Sequence, residues 1–134
     1  MLVCAQKTCS RYTYYSSEYC AVAFHSSLTV AQATDIERIQ KTCLKVILGD
    51  NYISYTAALE MTGLQSLHDR RERRCLDFAT KAAKHPTNSH MFPTNKSNEK
   101  QVRNREPFQV NFARTEQYRK SAIPYCQRKL NENL

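Results

Sequence analysis

Two stretches of this chain repeat their apolar residues at the period of an α-helix, and that repetition constrains the fold more than any other feature. Placed at about 100° per residue, positions 30–48 gather Val46, Ile39, Cys43, Ile36, Ile47, Ala33 and Leu44 on one broad face. Arg38, Lys41 and Lys45 gather on the opposite side, flanked by Asp35 and Glu37. Glu37 and Lys41 are four apart, a spacing that adds at most about 0.5 kcal/mol on a helix. Thr29 with Gln32 three residues later reads as a capping box, each side chain satisfying the other's free amide, and Gly49 supplies the stop.

The second stretch predicts a helix over Leu67–Lys84. Ser66 caps it, and Asp69 sits favourably in its first turn. Leu67, Phe78, Ala82, Cys75, Ala79, Ala83 and Leu76 fill one half of the wheel. Arg73, Lys84, Arg70, Lys81 and Arg74 form a contiguous stripe on the other, with Asp77 in its middle. Arg71 breaks the pattern by projecting between Phe78 and Ala82. It is expected to pair with a carboxylate or a row of carbonyls, because an unpaired buried cation is costly. His85-Pro86 ends the helix, since the residue before proline avoids helical geometry. Between the two stretches, Ser54 caps a short helix that runs to about Thr62 and stops at Gly63.

The remainder is less regular. Residues 1–27 crowd Tyr12, Tyr14, Tyr15 and Tyr19 into a polar stretch that ends in the apolar run Cys20–Phe24. Residues 93–107 read as a polar linker with a proline at each end. Phe108, Val110 and Phe112 alternate with polar residues, as in an extended segment, and a last helix is expected from Pro124, carrying Tyr125, Arg128 and Leu130. The expected fold is all-α. It has an irregular arm over 1–27, a three-helix core over 28–92, the linker, and a partly helical tail over 108–134.

Composition narrows the function. Two glycines in 134 residues leave neither a dinucleotide fingerprint nor a phosphate loop. The longest apolar run, Val46-Ile47-Leu48, is far short of the roughly 20 residues a bilayer demands, so no membrane contact is expected. Leu2–Ala5 is too short for the core of a signal peptide, which points to an intracellular protein, nuclear or cytoplasmic, with reduced thiols. Cys4, Cys9, Cys20 and His25 offer four zinc-type ligands, but their spacing fits neither a finger nor a knuckle. Buried free cysteine is the better reading. No two aspartates are adjacent, so the paired carboxylates of a two-metal site are missing. The histidines lack a nucleophile partner. No cofactor, metal or catalytic activity is expected.

Charge is the informative part. Residues 1–65 carry five basic and five acidic side chains, whereas residues 66–134 carry 15 and seven, so the whole +8 lies in the second half. Such an imbalance reads either as contact with a polyanion or as a surface that keeps the chain soluble. Five cations along one edge of a helix favour phosphate contact.

A family resemblance runs through much of the chain. Glu18-Tyr19-Cys20, Phe24-His25-Ser26-Ser27-Leu28-Thr29 and Ile36-Glu37-Arg38-Ile39-Gln40-Lys41 carry its first part, followed by Ile47-Leu48-Gly49, Tyr52, Tyr55, Ala58-Leu59 and Gly63-Leu64. Leu67, Arg70-Arg71-Glu72, Cys75-Leu76, Phe78-Ala79, His85-Pro86 and Phe92-Pro93 continue it. Asn111, Ala113, Thr115, Tyr118, the run from Lys120 to Tyr125 and Leu130-Asn131 complete it. Over about residues 18–131 the sequence resembles the region that follows the palm in reverse transcriptases of jockey-like non-LTR retrotransposons. The resemblance implies a non-catalytic, thumb-like C-terminal piece of an RNA-directed DNA polymerase, whose Tyr-x-Asp-Asp palm is not in this chain. It departs at Phe24, where the family usually has Trp, and over residues 1–17. The expected partners are a nucleic-acid duplex or RNA–DNA hybrid, held weakly and without sequence preference, and the rest of such a polymerase. Arg38, Lys41, Lys45, Arg70, Arg73, Arg74, Lys81 and Lys84 are the residues expected to touch phosphates. A protein-interaction remnant that docks on a missing polymerase partner, or a gene remnant with no function of its own, are the alternatives.

Overall fold

Thr29 begins the longest helix as its sequence predicts. Its hydroxyl accepts the Gln32 N–H at 3.3 Å while the Gln32 side chain accepts the Thr29 N–H at 2.9 Å. The helix ends at Gly49, whose φ of +52° few other residues adopt. The computed structural model describes residues 19–95 and 106–133. Cys4, Cys9, the tyrosines at 12, 14 and 15, and most of the expected linker lie outside them.

The described residues make an all-α fold. Its helices are α1 (Ala21–Phe24), α2 (Val30–Leu48), α3 (Tyr55–Thr62), α4 (Leu67–Lys84), α5 (Glu116–Arg119) and α6 (Ala122–Glu132), with 3₁₀ turns at His25–Ser27, Gly49–Asn51 and Ser89–Met91. The chain forms two compact units. One takes residues 19–21 and 28–72, the other 22–27, 73–95 and 106–133, so the division falls within α4.

In the first unit, Ser54 caps α3 through the Ala57 N–H, and Gly63 closes it in the left-handed conformation. Leu44, Leu48 and Ala58 form the buried centre, with Tyr52, Tyr55, Leu59 and Leu64 packed around them. Here the predicted face of α2 needs correction. Leu44 is buried, but Val46 is 80% exposed and Ile39 46%, while the buried line runs through Gln40, Leu44 and Leu48. The physical reason is non-local. α3 packs on the Leu44 side, and the Gln65 carbonyl draws in Gln40 by accepting its Nε2–H at 3.0 Å. Arg71 is fully buried, as its place on the wheel predicts, and it has interaction partners there.

The second unit packs part of the tail against α4. Cys75, Ala79 and Ala82 of α4 share a core with Phe92 and with Cys126 and Leu130 of α6, flanked by Val22, Met91, Phe108 and Ile123. Phe108, Ile123, Tyr125, Cys126 and Leu130 thus share one core with the second half of α4. The last helix starts at Ala122, two residues before Pro124, which sits in the first turn where its missing N–H costs nothing.

The alternating segment is extended, as expected, and pairs once: Thr94 and Phe108 form an antiparallel bridge. Side chains of α6 hold it. Asn131 accepts the Phe108 N–H at 2.9 Å and donates to the Phe108 carbonyl at 3.0 Å, as a neighbouring strand would. One turn earlier, the buried Gln127 accepts the Asn111 N–H at 2.9 Å and donates to the Met91 carbonyl at 2.7 Å. Phe108 and Val110 are half-buried, whereas Phe112 is exposed.

Candidate nucleic-acid interface

The eight predicted cations fall into two groups, one in each unit. In the first unit, Lys41 and Lys45 do not stand opposite the buried face. Each leans over a tyrosine at the edge of the α2–α3 packing: Lys41 Nζ lies 5.0 Å from the Tyr55 ring centre, and Lys45 Nζ lies 5.5 Å from that of Tyr52. Such cation–π contacts are worth about 0.5–1 kcal/mol near a surface and leave the ammonium able to meet an anion. Arg38 is exposed and pairs with Asp35 at 3.4 Å, a contact that solvent makes weak.

Arg70 is half-buried and belongs to a local network. Its centre is Glu37, whose carboxylate accepts the Tyr55 hydroxyl and the backbone N–H groups of Leu67 at 3.1 Å and His68 at 3.3 Å. Burial and the bond to Glu37 push the Tyr55 hydroxyl well above the usual phenol range, with the Arg70 charge acting weakly in the opposite sense. Glu37 thus satisfies amides that the start of α4 cannot pair internally, and its negative charge suits the positive end of the helix dipole. Ser66 adds its own cap by accepting the Asp69 N–H at 3.1 Å.

In the second unit, Arg73, Lys81 and Lys84 are exposed, while Arg74 is half-buried with partners of its own. At 100° per residue the three exposed cations fall within about 80° of one another, and at 1.5 Å per residue they span roughly 16 Å. Asp77, also exposed, lies inside this strip as the sequence predicts. This part of α4 therefore displays a row of separated positive charges with no aromatic side chain among them. Such a row can meet phosphate oxygens, contacts that position a nucleic acid and carry no sequence information. Lys84 also borders an apolar groove of about 390 Å³ that Leu76, Ala83, Phe108 and Leu130 help to line.

Sequence periodicity missed further basic residues. Arg114, Arg119 and Lys120 are exposed around α5, a segment too short to show a helical repeat. It also missed His68, Asp69 and Glu72, whose ligand atoms lie within 4.8 Å of one another on the first turns of α4. Their spacing of one and four residues was the available signal. Two of the three are exposed, and they sit at the helix end whose dipole repels a cation. No helix among the described residues is long and apolar enough to cross a membrane.

Comparison of the whole chain with protein-family models, curated proteins and solved structures gives no match.

Proposed function

We propose that this chain is a non-catalytic C-terminal piece of an RNA-directed DNA polymerase of the non-LTR retrotransposon type, and that it holds a nucleic-acid backbone without reading sequence. The observation that carries the contact is the exposed row Arg73, Lys81 and Lys84 on one face of α4. The concentration of the entire +8 charge in residues 66–134 supports it, because each phosphate neutralised releases counterions and adds affinity. The sequence resemblance supplies the polymerase context, including work inside the cell beside a polymerase palm. Lys41 and Lys45, perched on Tyr55 and Tyr52, are a second set of phosphate contacts on the first unit.

Competition tests the reading. A labelled RNA–DNA hybrid is bound at low salt and challenged with unlabelled hybrids of unrelated sequence. Equal competition by all of them is expected, whereas strong preference for one sequence, or no binding at all, contradicts the proposal.

A second reading is favoured by a separate observation. Ile39 and Val46 lie seven residues apart on one exposed edge of α2, and Ile53 beyond it is 85% exposed. An apolar edge of this kind suits docking on a protein surface such as the missing polymerase. Association through that edge is expected to weaken when Ile39 and Val46 become Ser, with nucleic-acid binding unchanged.

A further inference from the structure

Cys75 and Cys126 come from opposite ends of the second unit, 51 residues apart, and meet in its core. Both are completely buried. The Cys126 thiol points at the Cys75 carbonyl with 3.7 Å between Sγ and O. Ala79 and Ala82 on α4, Phe92, and Leu130 on α6 share this core with them. Of the other described cysteines, Cys20 is exposed and Cys43 half-buried. We propose that Cys75 and Cys126 are a latent disulfide pair, which a small-molecule disulfide oxidises to a covalent staple between α4 and α6.

The environment fixes how the reaction proceeds. The neighbouring Cys75 side chain, together with burial, pushes the Cys126 thiol far above its ordinary range. A thiol that holds its proton so firmly is a poor nucleophile, and the oxidant cannot reach it in the closed fold. Oxidation therefore waits for the second unit to open. One cysteine then attacks, as its thiolate, a sulfur of the small disulfide, forming a mixed disulfide and releasing one small thiol. The other cysteine attacks the protein-side sulfur of that mixed disulfide, forming the Cys75–Cys126 bond and releasing the second small thiol. Two protein thiols are oxidised, one small disulfide is reduced, and the two protons pass through water to the released thiolates. Closing the fold then seals the bond in the core, away from reductant.

Peptide mapping distinguishes this from random oxidation. Chain statistics favour short loops, so an unfolded chain links Cys4 with Cys9, or Cys9 with Cys20, far more readily than residues 51 apart. The full chain is incubated with reduced and oxidised glutathione, quenched by alkylation, digested and mapped by mass spectrometry. The Cys75–Cys126 peptide is expected to be the most abundant linked species, and to form several-fold faster in mild urea. Its urea midpoint is expected to rise and to return when dithiothreitol is added. The proposal is overturned if that link is no more abundant than the short-loop links. It is equally overturned if Cys75 and Cys126 end as separate glutathione adducts, or if linkage lowers the midpoint.

Discussion

The carboxylate of Glu37 accepts the backbone N–H of Leu67 at 3.1 Å, joining the middle of α2 to the first residue of α4 across 30 positions of sequence. The same group takes the His68 N–H and the Tyr55 hydroxyl, so one acidic side chain fixes where three helices of the first unit meet. Removing it leaves amides at the start of α4 and a phenol without their acceptor. Glu37→Ala is expected to cost about 2–3 kcal/mol in urea unfolding, and Glu37→Gln less, because an amide oxygen still accepts. Equal stability of both variants and the parent contradicts this role.

Tyr55 gives that network a pH signature. Its hydroxyl is raised above the ordinary phenol value of 10.0, so the folded chain keeps a proton that the unfolded chain loses in alkali. The contribution is fully present below pH 10 and is lost as pH rises through the alkaline range. Between pH 9 and 11.5 the urea midpoint of the parent is expected to fall more steeply than that of Tyr55→Phe. Parallel curves contradict it.

The rotation of α2 separates residues that a helical wheel treats alike. Leu44 is fully buried and Val46 is 80% exposed. Leu44→Ala is expected to cost about 2–4 kcal/mol, whereas Val46→Ala stays within about 0.5 kcal/mol. Similar losses at both positions, read by chemical denaturation, sink the assignment.

Asn131 acts as a strand partner because its amide offers one acceptor and one donor to the Phe108 backbone. Its Nδ2 also reaches the Glu106 carboxylate at 2.9 Å. Asn131→Asp preserves shape, turns the donor into an acceptor and sets it facing a carbonyl and a carboxylate. A loss of about 2 kcal/mol at neutral pH is expected, partly recovered as acid protonates the new group. A neutral effect across pH contradicts the clamp.

How much of this was legible in the sequence depended on the distance between partners. Thr29, Ser54, Ser66, Gly49 and Gly63 bound their helices as expected, because capping is settled within about four residues. Burial of Arg71 was visible because its wheel position left it no other side. The exposure of Ile39 and Val46 was not visible. α2 has apolar residues on more than one side, and only the return of α3 decides which are covered. Glu37 read as a surface partner for Lys41, since its real partners lie 18, 30 and 31 residues away. Gln127 and Asn131 read as ordinary polar helix positions, although both are committed to backbone groups of the extended segment. The cationic row stood out in the sequence as five residues. The structure leaves Arg73, Lys81 and Lys84 exposed and half-buries Arg70 and Arg74.

The salt dependence of binding tests the proposed phosphate contacts most directly. Affinity for an RNA–DNA hybrid is measured from low to moderate salt for the parent chain and for Arg73→Gln/Lys81→Gln/Lys84→Gln, with helix content checked in the same samples. Each phosphate contact contributes roughly 0.9 to the slope of log K against log salt on a duplex. The expected result is a steep slope for the parent that shrinks by about 2–3 in the folded variant. An unchanged slope in a folded variant, or no binding by the folded parent at low salt, contradicts a nucleic-acid surface on α4.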